Sequence, residues 1–211
     1  MPDTLVAPTE TFHRPASIDE ELRATAEVRF LDLPPRPAAM LDGEGPPEES
    51  SFAPRLPGLY ATAWTLRFAL KCRGILTKVG PLEGLWWTVD GTTDLDVILA
   101  PGRDLWRWTL LIGLPNAAEP AELEAAVEAG RARLAAPYAG NLRIETLAEG
   151  RVAQVLHLGP YATERPTIER LHATIAATGL RPRGRHHELY LGDPRRSAPD
   201  RLRTIIRQPV E

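Results

Sequence analysis

The segment HHELYLGDP, His186 to Pro194, alternates in the manner of a β-strand. Successive side chains of an extended chain point to opposite faces, so Glu188 and Tyr190 share one face while Leu189 and Leu191 share the other. The leucine face predicts packing against a core. The other face places an acid beside an aromatic ring, a combination that calls for water or a ligand. The segment therefore predicts a strand that carries part of a site.

The surroundings of this strand occur twice in the chain. Each copy has a Gly-Pro pair, then an amphipathic helix ended by a glycine, then a glutamate nine residues after that glycine. The matching positions are Gly45-Pro46 with Gly159-Pro160, Gly74-Ile75 with Gly179-Leu180, and Glu83 with Glu188. The repeat predicts two related modules, in which Glu83 and Glu188 are quasi-equivalent.

Hydrophobic periodicity supplies the elements of these modules. Helices are predicted over residues 56–73, 118–134 and 163–179. Strands are predicted at 28–41 (an edge strand broken by a bend at its prolines), 78–89, 104–114, 186–193 and 201–209, with a hairpin over 141–159 whose turn is 148–150. The order is strand, helix, strand, strand in each copy.

These elements predict an α+β fold in which two strand-helix-strand-strand modules are related by a pseudo-twofold and share a central ligand cleft. An N-terminal arm would occupy residues 1–24 and a single domain residues 25–211. Module one spans about 25–114 and module two about 149–211. A connecting helix and strand fill about 115–148.

Composition is that of an ordinary soluble protein. The formal net charge of -3 gives no overall case for nucleic acid as a partner, although residues from Arg181 onward include eight arginines and four acids. No apolar run approaches the length of a membrane span, and the N-terminus lacks a signal-peptide pattern. The single cysteine, Cys72, excludes an internal disulfide and leaves the reducing cytoplasm as the simplest location.

Aromatic residues gather on two predicted strands and one helix. Trp86 and Trp87 are adjacent and must point to opposite faces, and we expect Trp86, with Trp108, to face the cleft. Tyr60 and Trp64 lie one helical turn apart and could present a second pair of rings to a ligand. Ordinary core packing is the alternative for each of these rings.

Glu83 and Glu188 are the candidate acids of the site. A carboxylate in an aromatic-walled cavity can pair with a cationic ligand, or it can act as a general base or acid toward water and a strained electrophile. The alternative is an exposed glutamate on an edge strand. His186 and His187 do not suggest a metal site, because adjacent strand residues diverge. No cofactor fingerprint occurs, so no metal or cofactor is expected.

Six segments of the chain resemble, in order and spacing, the GyrI-like small-molecule-binding family. The similarity covers about Val28 to Pro209, and PLEGLWW and HHELYLGDPRR are its most specific parts. The segments are VRFLDLPPRPAAMLDGEGPP, GLYATAWTLRFALK, PLEGLWWTVD, LWRWTLLIGLP, VLHLGPY and HHELYLGDPRR. The resemblance implies two modules around a central pocket that binds lipophilic, often cationic, compounds.

Because the sequence shows no DNA-binding segment, it resembles the stand-alone branch of that family. This branch includes hydrolases that open the cyclopropane of DNA-alkylating cyclopropanoid natural products. Two hypotheses follow. In the first, the protein is a hydrolase in which Glu188 orients or deprotonates water and Tyr190 donates a hydrogen bond to the departing oxygen. In the second, it binds, sequesters or senses planar drugs without chemistry.

Overall fold

The computed structural model describes residues 11–46, 48–88 and 106–211. The chain divides into two compact units: unit 1 comprises Met1–Pro34 and Glu149–Glu211, and unit 2 comprises Pro35–Ala148. The strands are β1 Arg29–Leu33, β2 Arg36–Glu44, β3 Leu82–Thr88, β4 Trp106–Gly113, β5 Arg143–Leu147, β6 Gly150–Leu158, β7 His186–Tyr190 and β8 Arg203–Pro209. The helices are α1 Ile18–Glu21, α2 Glu49–Phe52, α3 Leu56–Cys72, α4 Pro120–Arg131, α5 Ala136–Ala139 and α6 Arg165–Ala177.

Unit 2 is an antiparallel sheet covered by α3, with strands in the order β3, β4, β2, β5. Helix α3 packs on β2 and β4 through an apolar stripe that includes the fully buried Leu59, Leu66 and Leu70. It also packs on α4. There Gly130 allows a close approach, because a Cβ at that position would lie 2.1 Å from the hydroxyl oxygen of Thr62.

Unit 1 repeats this plan with strands in the order β1, β6, β8, β7, again all antiparallel. Helix α6 packs on β6. Its buried residues Ile168, Leu171 and Ile175 recur at the spacing of one helix face. The predicted helices of both units are therefore present within a few residues of their expected ends.

The α+β class and the repeated strand-helix-strand-strand module are confirmed. The module is β2-α3-β3-β4 in unit 2 and β6-α6-β7-β8 in unit 1. In each module the last strand pairs with both other strands: β4 with β3 and β2, and β8 with β7 and β6. Gly74 and Gly179 end their helices with φ of +80° and +78°, a conformation that favours glycine. The central cleft stays a prediction.

Two predictions about the strands are wrong. Residues 28–41 form two strands rather than one bent edge strand: β1 pairs with β6, and β2 lies between β4 and β5. The hairpin predicted over 141–159 does not form, because β5 pairs with β2 whereas β6 pairs with β1 and β8. The break in the first case falls at Pro34 and Pro35, where the chain lacks two backbone donors.

Regular structure begins earlier than the predicted end of the arm at residue 24. Helix α1 starts after Ser17, whose hydroxyl accepts from the backbone N–H of Glu20. Ala24 then packs on Leu189 and Ile205. This burial anchors residues 11–24 to unit 1, while residues 1–10 of the predicted arm lie outside the described residues. The first residues of the strand predicted at 104–114 also lie outside them.

Across the three described ranges, no helix combines the length and apolarity needed to cross a bilayer.

Candidate functional site

Strand β7 places Glu188 and Tyr190 on one face, as the alternation predicts. The Tyr190 hydroxyl donates a hydrogen bond of 2.8 Å to Oε2 of Glu188. The Glu188 side chain keeps 15% of its surface exposed, so it is largely but not completely removed from solvent. An acid held in this way has a fixed orientation and remains partly accessible to solvent.

A second tyrosine extends this site. Tyr161 lies in a short 3-10 helix, Tyr161–Thr163, that follows β6. Its ring centroid is 5.6 Å from that of Tyr190, at an interplanar angle of 76°. Partial burial raises the pKa of Tyr161, which is 39% exposed, to about 12, and negative charge at Glu164, Glu188 or Asp193 acts in the same direction. The hydroxyl therefore stays protonated and can donate at neutral pH.

Glu164 is the residue of this site that sequence reasoning missed. It directly precedes α6 and is only 5% exposed. Burial, reinforced by the negative charge of Glu188, raises the pKa of the Glu164 carboxyl to about 9, and the Thr204 hydroxyl opposes this shift. At neutral pH the site therefore contains a neutral carboxylic acid at Glu164, close enough to Glu188 for the two acids to interact electrostatically.

A signal for Glu164 was present in the sequence. Glu164, Ile168, Leu171 and Ile175 follow one another at the spacing of one helix face, and the last three are the buried residues of α6. An acid in line with a buried apolar stripe has to be neutral, paired or functional. The same position also suits an ordinary helix start, where an acidic side chain is common.

Two histidines complete the cluster. The pKa of His172 is lowered to about 4, mainly by burial and in the same direction by the nearby His186. Nε2 of His186 lies 3.3 Å from Oε1 of Glu188 without hydrogen-bond geometry. Within the described residues, no hydrogen bond reaches the buried atoms Glu164 Oε1, His172 Nε2 and His186 Nε2. The acid cluster, as we name it, consists of Tyr161, Glu164, His172, His186, Glu188 and Tyr190.

Unit 2 supplies an internal comparison, because the helix-ending glycines and the paired strands align the two modules residue by residue. The position of Glu164 in unit 1 is that of Leu59 in unit 2, which is fully buried. The position of Tyr190 is that of Leu85, which is also buried. The module can therefore fold with leucine at both positions.

Glu83, the quasi-equivalent of Glu188, has a different environment. Its side chain is fully buried, and Oε2 lies 2.6 Å from a guanidinium nitrogen of Arg36. In unit 1 the residue equivalent to Arg36 is Arg151, whose guanidinium lies over the ring of Phe12, 5.2 Å from its centroid. Glu83 is thus neutralised by an arginine, and its predicted role in ligand binding stays a prediction.

The predicted aromatic wall lies in unit 2. Trp86 is 5% exposed and Trp108 is fully buried, with their ring centroids 6.4 Å apart. Trp87 is half-buried and packs on the cluster around Met40 and Leu85. The structure thus brings Trp86 and Trp108 together but buries both, and their contact with a ligand stays a prediction.

The predicted ring pair on α3 is arranged differently. Trp64 is 44% exposed, and its ring lies 5.9 Å from that of Phe68, one turn further along the helix. Arg67 lies over both rings. Tyr60 is half-buried on the same helix. Trp64 therefore pairs with Phe68, four residues further along α3. The predicted pair, Tyr60 and Trp64, has the same spacing of four residues.

The opposite side of β7 carries a buried polar network rather than a site. Arg207 is fully buried and donates to Glu149, Glu21 and Gln154. Nδ1 of His187 lies 2.8 Å from the same Glu149. His186 and His187 therefore belong to different clusters. In the part of the chain that the structure describes, no group of three or more His, Cys, Asp or Glu side chains could hold a metal ion.

Two surface grooves in unit 2, of about 410 and 510 Å³, share no residue with the acid cluster. Both are lined in part by Arg131 and Arg143, which pair with acids exposed at the surface. The acid cluster remains the stronger candidate, because it combines a buried neutral acid, a carboxylate and two tyrosine hydroxyls.

Known structures share the fold of this chain over most of its length. An uncharacterized conserved protein from Listeria innocua is 30% identical, with a TM-score of 0.76 over 92% of this chain and 97% of that one. A hydrolase from Listeria innocua is 27% identical, with a TM-score of 0.72 over 92% of this chain and 96% of that one. The C-terminal domain of EcmrR, at 12% identity, shares the fold with a TM-score of 0.55 over 88% of this chain and 97% of that domain.

The model of the GyrI-like small molecule binding domain matches residues 118–211, a range that includes the whole acid cluster. Among curated proteins, none matches the chain. Residues 118–211 of this chain are therefore similar to the GyrI-like small molecule binding domain, and the chain as a whole shares its fold with the 30% identical Listeria innocua protein.

Proposed function

We propose that the protein is a hydrolase that adds water to a planar, lipophilic electrophile bound at the acid cluster. The observation that carries the proposal is a pair of acids in different environments: Glu188 is partly exposed and accepts a hydrogen bond from Tyr190, whereas Glu164 is buried and its pKa is raised. Two carboxyl groups whose environments separate their protonation states are the usual arrangement for acid–base catalysis. Two Listeria innocua neighbours at 27% and 28% identity are described as hydrolases, which supports the same reaction class.

The substrates that we propose are cyclopropanoid DNA-alkylating compounds, which the protein would destroy for self-protection. In these compounds a strained cyclopropane is conjugated to a ring ketone. Glu188 takes a proton from water as the water oxygen bonds to the cyclopropane carbon. The ring-opening C–C bond breaks, and its electron pair moves through the ring to the ketone oxygen, which takes up a proton. The net change is the addition of one water molecule.

Tyr190 acts on Glu188 in this reaction. The sequence predicts that the Tyr190 hydroxyl donates to the departing oxygen, and that role stays a prediction; the hydrogen bond observed is the one to Glu188. A carboxylate that accepts a hydrogen bond is fixed in orientation, and one of its oxygens is left for water. Through this bond Tyr190 acts as a positioning residue for Glu188. Tyr190→Phe should lower turnover by less than the loss of Glu188.

The reaction is tested by incubating the purified protein with a cyclopropanoid alkylator and measuring the water adduct by mass spectrometry. Glu188→Gln preserves shape but removes the base, and turnover should fall by about 10²–10⁴-fold. Glu169→Gln is the matched control, because Glu169 is an exposed residue of the same unit, paired with Arg165. Ligand binding without any water adduct, in the wild-type protein, would refute the hydrolase.

A non-catalytic binder, sequestering protein or sensor is the second candidate. The observation that favours it is the carboxylate of Glu188 beside the rings of Tyr161 and Tyr190, which suits a planar cation. This candidate predicts that Glu188→Gln lowers the affinity for a cationic dye but leaves the affinity for a neutral dye of the same shape unchanged. The hydrolase predicts instead that turnover falls while the affinity for a neutral substrate holds.

A further inference from the structure

Glu164 is the one acid of the cluster that has no task in the base mechanism above. Its carboxyl is buried on the apolar face of α6, where unit 2 has Leu59. Placing an acid there is costly, and the fold does not require it. A buried acid that costs stability and interacts electrostatically with a candidate site points to a function in that site.

We propose that Glu164 is the proton donor of the acid cluster, and that the ligand it serves is a planar conjugated ketone. As a neutral acid, Glu164 hydrogen-bonds to the ketone oxygen through its O–H. The proposal deepens the proposed function and rests on it, because it assigns the second proton of the same reaction and names the functional group of the substrate.

The surroundings of Glu164 suit this task. The titratable groups that face it are Glu188 from β7 and Tyr161 from the turn before α6, and the Thr204 hydroxyl faces it from β8. Its pKa of about 9 keeps the O–H in place at neutral pH, and the pKa of Tyr161 of about 12 does the same for the phenol. Protonated donors stabilise an oxygen that gains negative charge, and most strongly where solvent is excluded, as it is at the 5% exposed Glu164.

Oε1 of Glu164 also has no hydrogen-bond partner within the described residues. A buried polar atom without a partner costs free energy until a ligand or water supplies one. A ketone oxygen accepts from the acid O–H and satisfies it. The geometry therefore favours a neutral acceptor at this position over a second anion.

The proton balance of the reaction closes with this assignment. Water loses one proton to Glu188 and bonds to the cyclopropane carbon. The electron pair of the broken C–C bond reaches the ketone oxygen, which takes the proton of Glu164 and becomes a phenol. Glu164 is left as the carboxylate and Glu188 as the acid, and the proton returns from Glu188 to Glu164 directly or through solvent. No oxidant, reductant or further reactant is required.

The experiment compares two probes of the same shape, fluorenone and fluorene, which differ in the ketone oxygen. The wild-type protein should bind fluorenone about tenfold more tightly than fluorene, the effect of one buried hydrogen bond worth about 1.4 kcal/mol. Glu164→Leu, the residue that unit 2 has at this position, should remove the preference. Glu164→Gln should keep part of it, because the amide also donates. Glu169→Leu, on the exposed face of α6, should leave it unchanged.

The pH dependence supplies a second readout. The fluorenone preference of the wild type should be lost as the pH rises through about 9, where Glu164 loses its proton. In Glu164→Gln the remaining preference should not change over that range. Infrared difference spectra should show a protonated-carboxyl band in the wild type that shifts on fluorenone binding and is absent from Glu164→Gln.

The outcomes separate this inference from the proposed function. An unchanged preference in Glu164→Leu, or a wild type with no preference, would overturn the inference even if the protein hydrolyses cyclopropanoids. A preference that depends on Glu164, without any water adduct, would overturn the hydrolase and leave the donor role in place.

Discussion

Replacing Glu164 by leucine should make the protein more stable at neutral pH. The pKa of this carboxyl rises from 4.5 to about 9 on folding, because burial and the charge of Glu188 both disfavour the ionised form. Between these two pH values the folded protein holds a proton that the unfolded chain has lost. Stability therefore falls as the pH rises from 4.5 toward 9, and Glu164→Leu removes that loss.

The size of the effect follows from the same values. One pH unit corresponds to about 1.4 kcal/mol for one proton, so the loss accumulated between pH 4.5 and pH 7 is at most about 3 kcal/mol. Leucine should fit the site, since Leu59 occupies the equivalent position in unit 2 with no exposed surface. We expect the free energy of unfolding of Glu164→Leu, relative to that of the wild type, to be up to about 3 kcal/mol higher at pH 7 than at pH 4.5.

Urea unfolding of the wild type and Glu164→Leu at several pH values from 4.5 to 8 measures this directly. The difference between the two proteins should grow steadily with pH, with Glu169→Leu as the control that shows no such trend. A difference that is constant across this range would mean that Glu164 is ionised in the folded protein. The acid–base arrangement of the site would then be refuted.

Two further predictions concern the surroundings of the site. Arg207→Met should lower the free energy of unfolding by about 3–5 kcal/mol in urea titrations, because Glu21 and Glu149 would lose their buried guanidinium partner. A loss below about 1 kcal/mol would contradict the stabilising role of this buried polar network. His172→Leu should reduce the acid sensitivity of the protein. The pKa of His172 falls from 6.5 to about 4 on folding. The stability that the neutral histidine contributes is therefore present above pH 6.5 and is lost as the pH falls toward 4. After allowance for partial exposure, this loss should amount to about 1–2 kcal/mol. Thermal unfolding from pH 4 to pH 7 tests this prediction, and identical pH profiles for the two proteins would contradict it.

Local patterns were enough to predict the helices and the repeat. The apolar positions of α3 and α6 recur at helical spacing, and Gly74 and Gly179 mark the ends of these helices in the sequence and in the backbone. These signals are local, because a helix forms its hydrogen bonds within one stretch of chain. Alternation along β7 likewise predicted that Glu188 and Tyr190 share a face.

Strand partners were predicted less well. A strand forms its hydrogen bonds with another strand, and alternation does not say which one. Residues 143–158 have the sequence of a hairpin, with a glycine at the turn, yet β5 and β6 each have other partners. The same limit applies to β1 and β2, which were predicted as one bent strand and pair with different neighbours.

The α+β class, the two copies of the module and the placement of an acid and a tyrosine on one face of β7 could all be predicted from the sequence. The different environments of the two acids became visible only in the folded chain. Glu83 and Glu188 occupy equivalent positions, but Glu83 pairs with Arg36, whereas Glu188 accepts a hydrogen bond from Tyr190 and its charge acts on the buried Glu164. The protonation of a carboxyl depends on burial and on nearby charges, and both are supplied by residues far away along the chain.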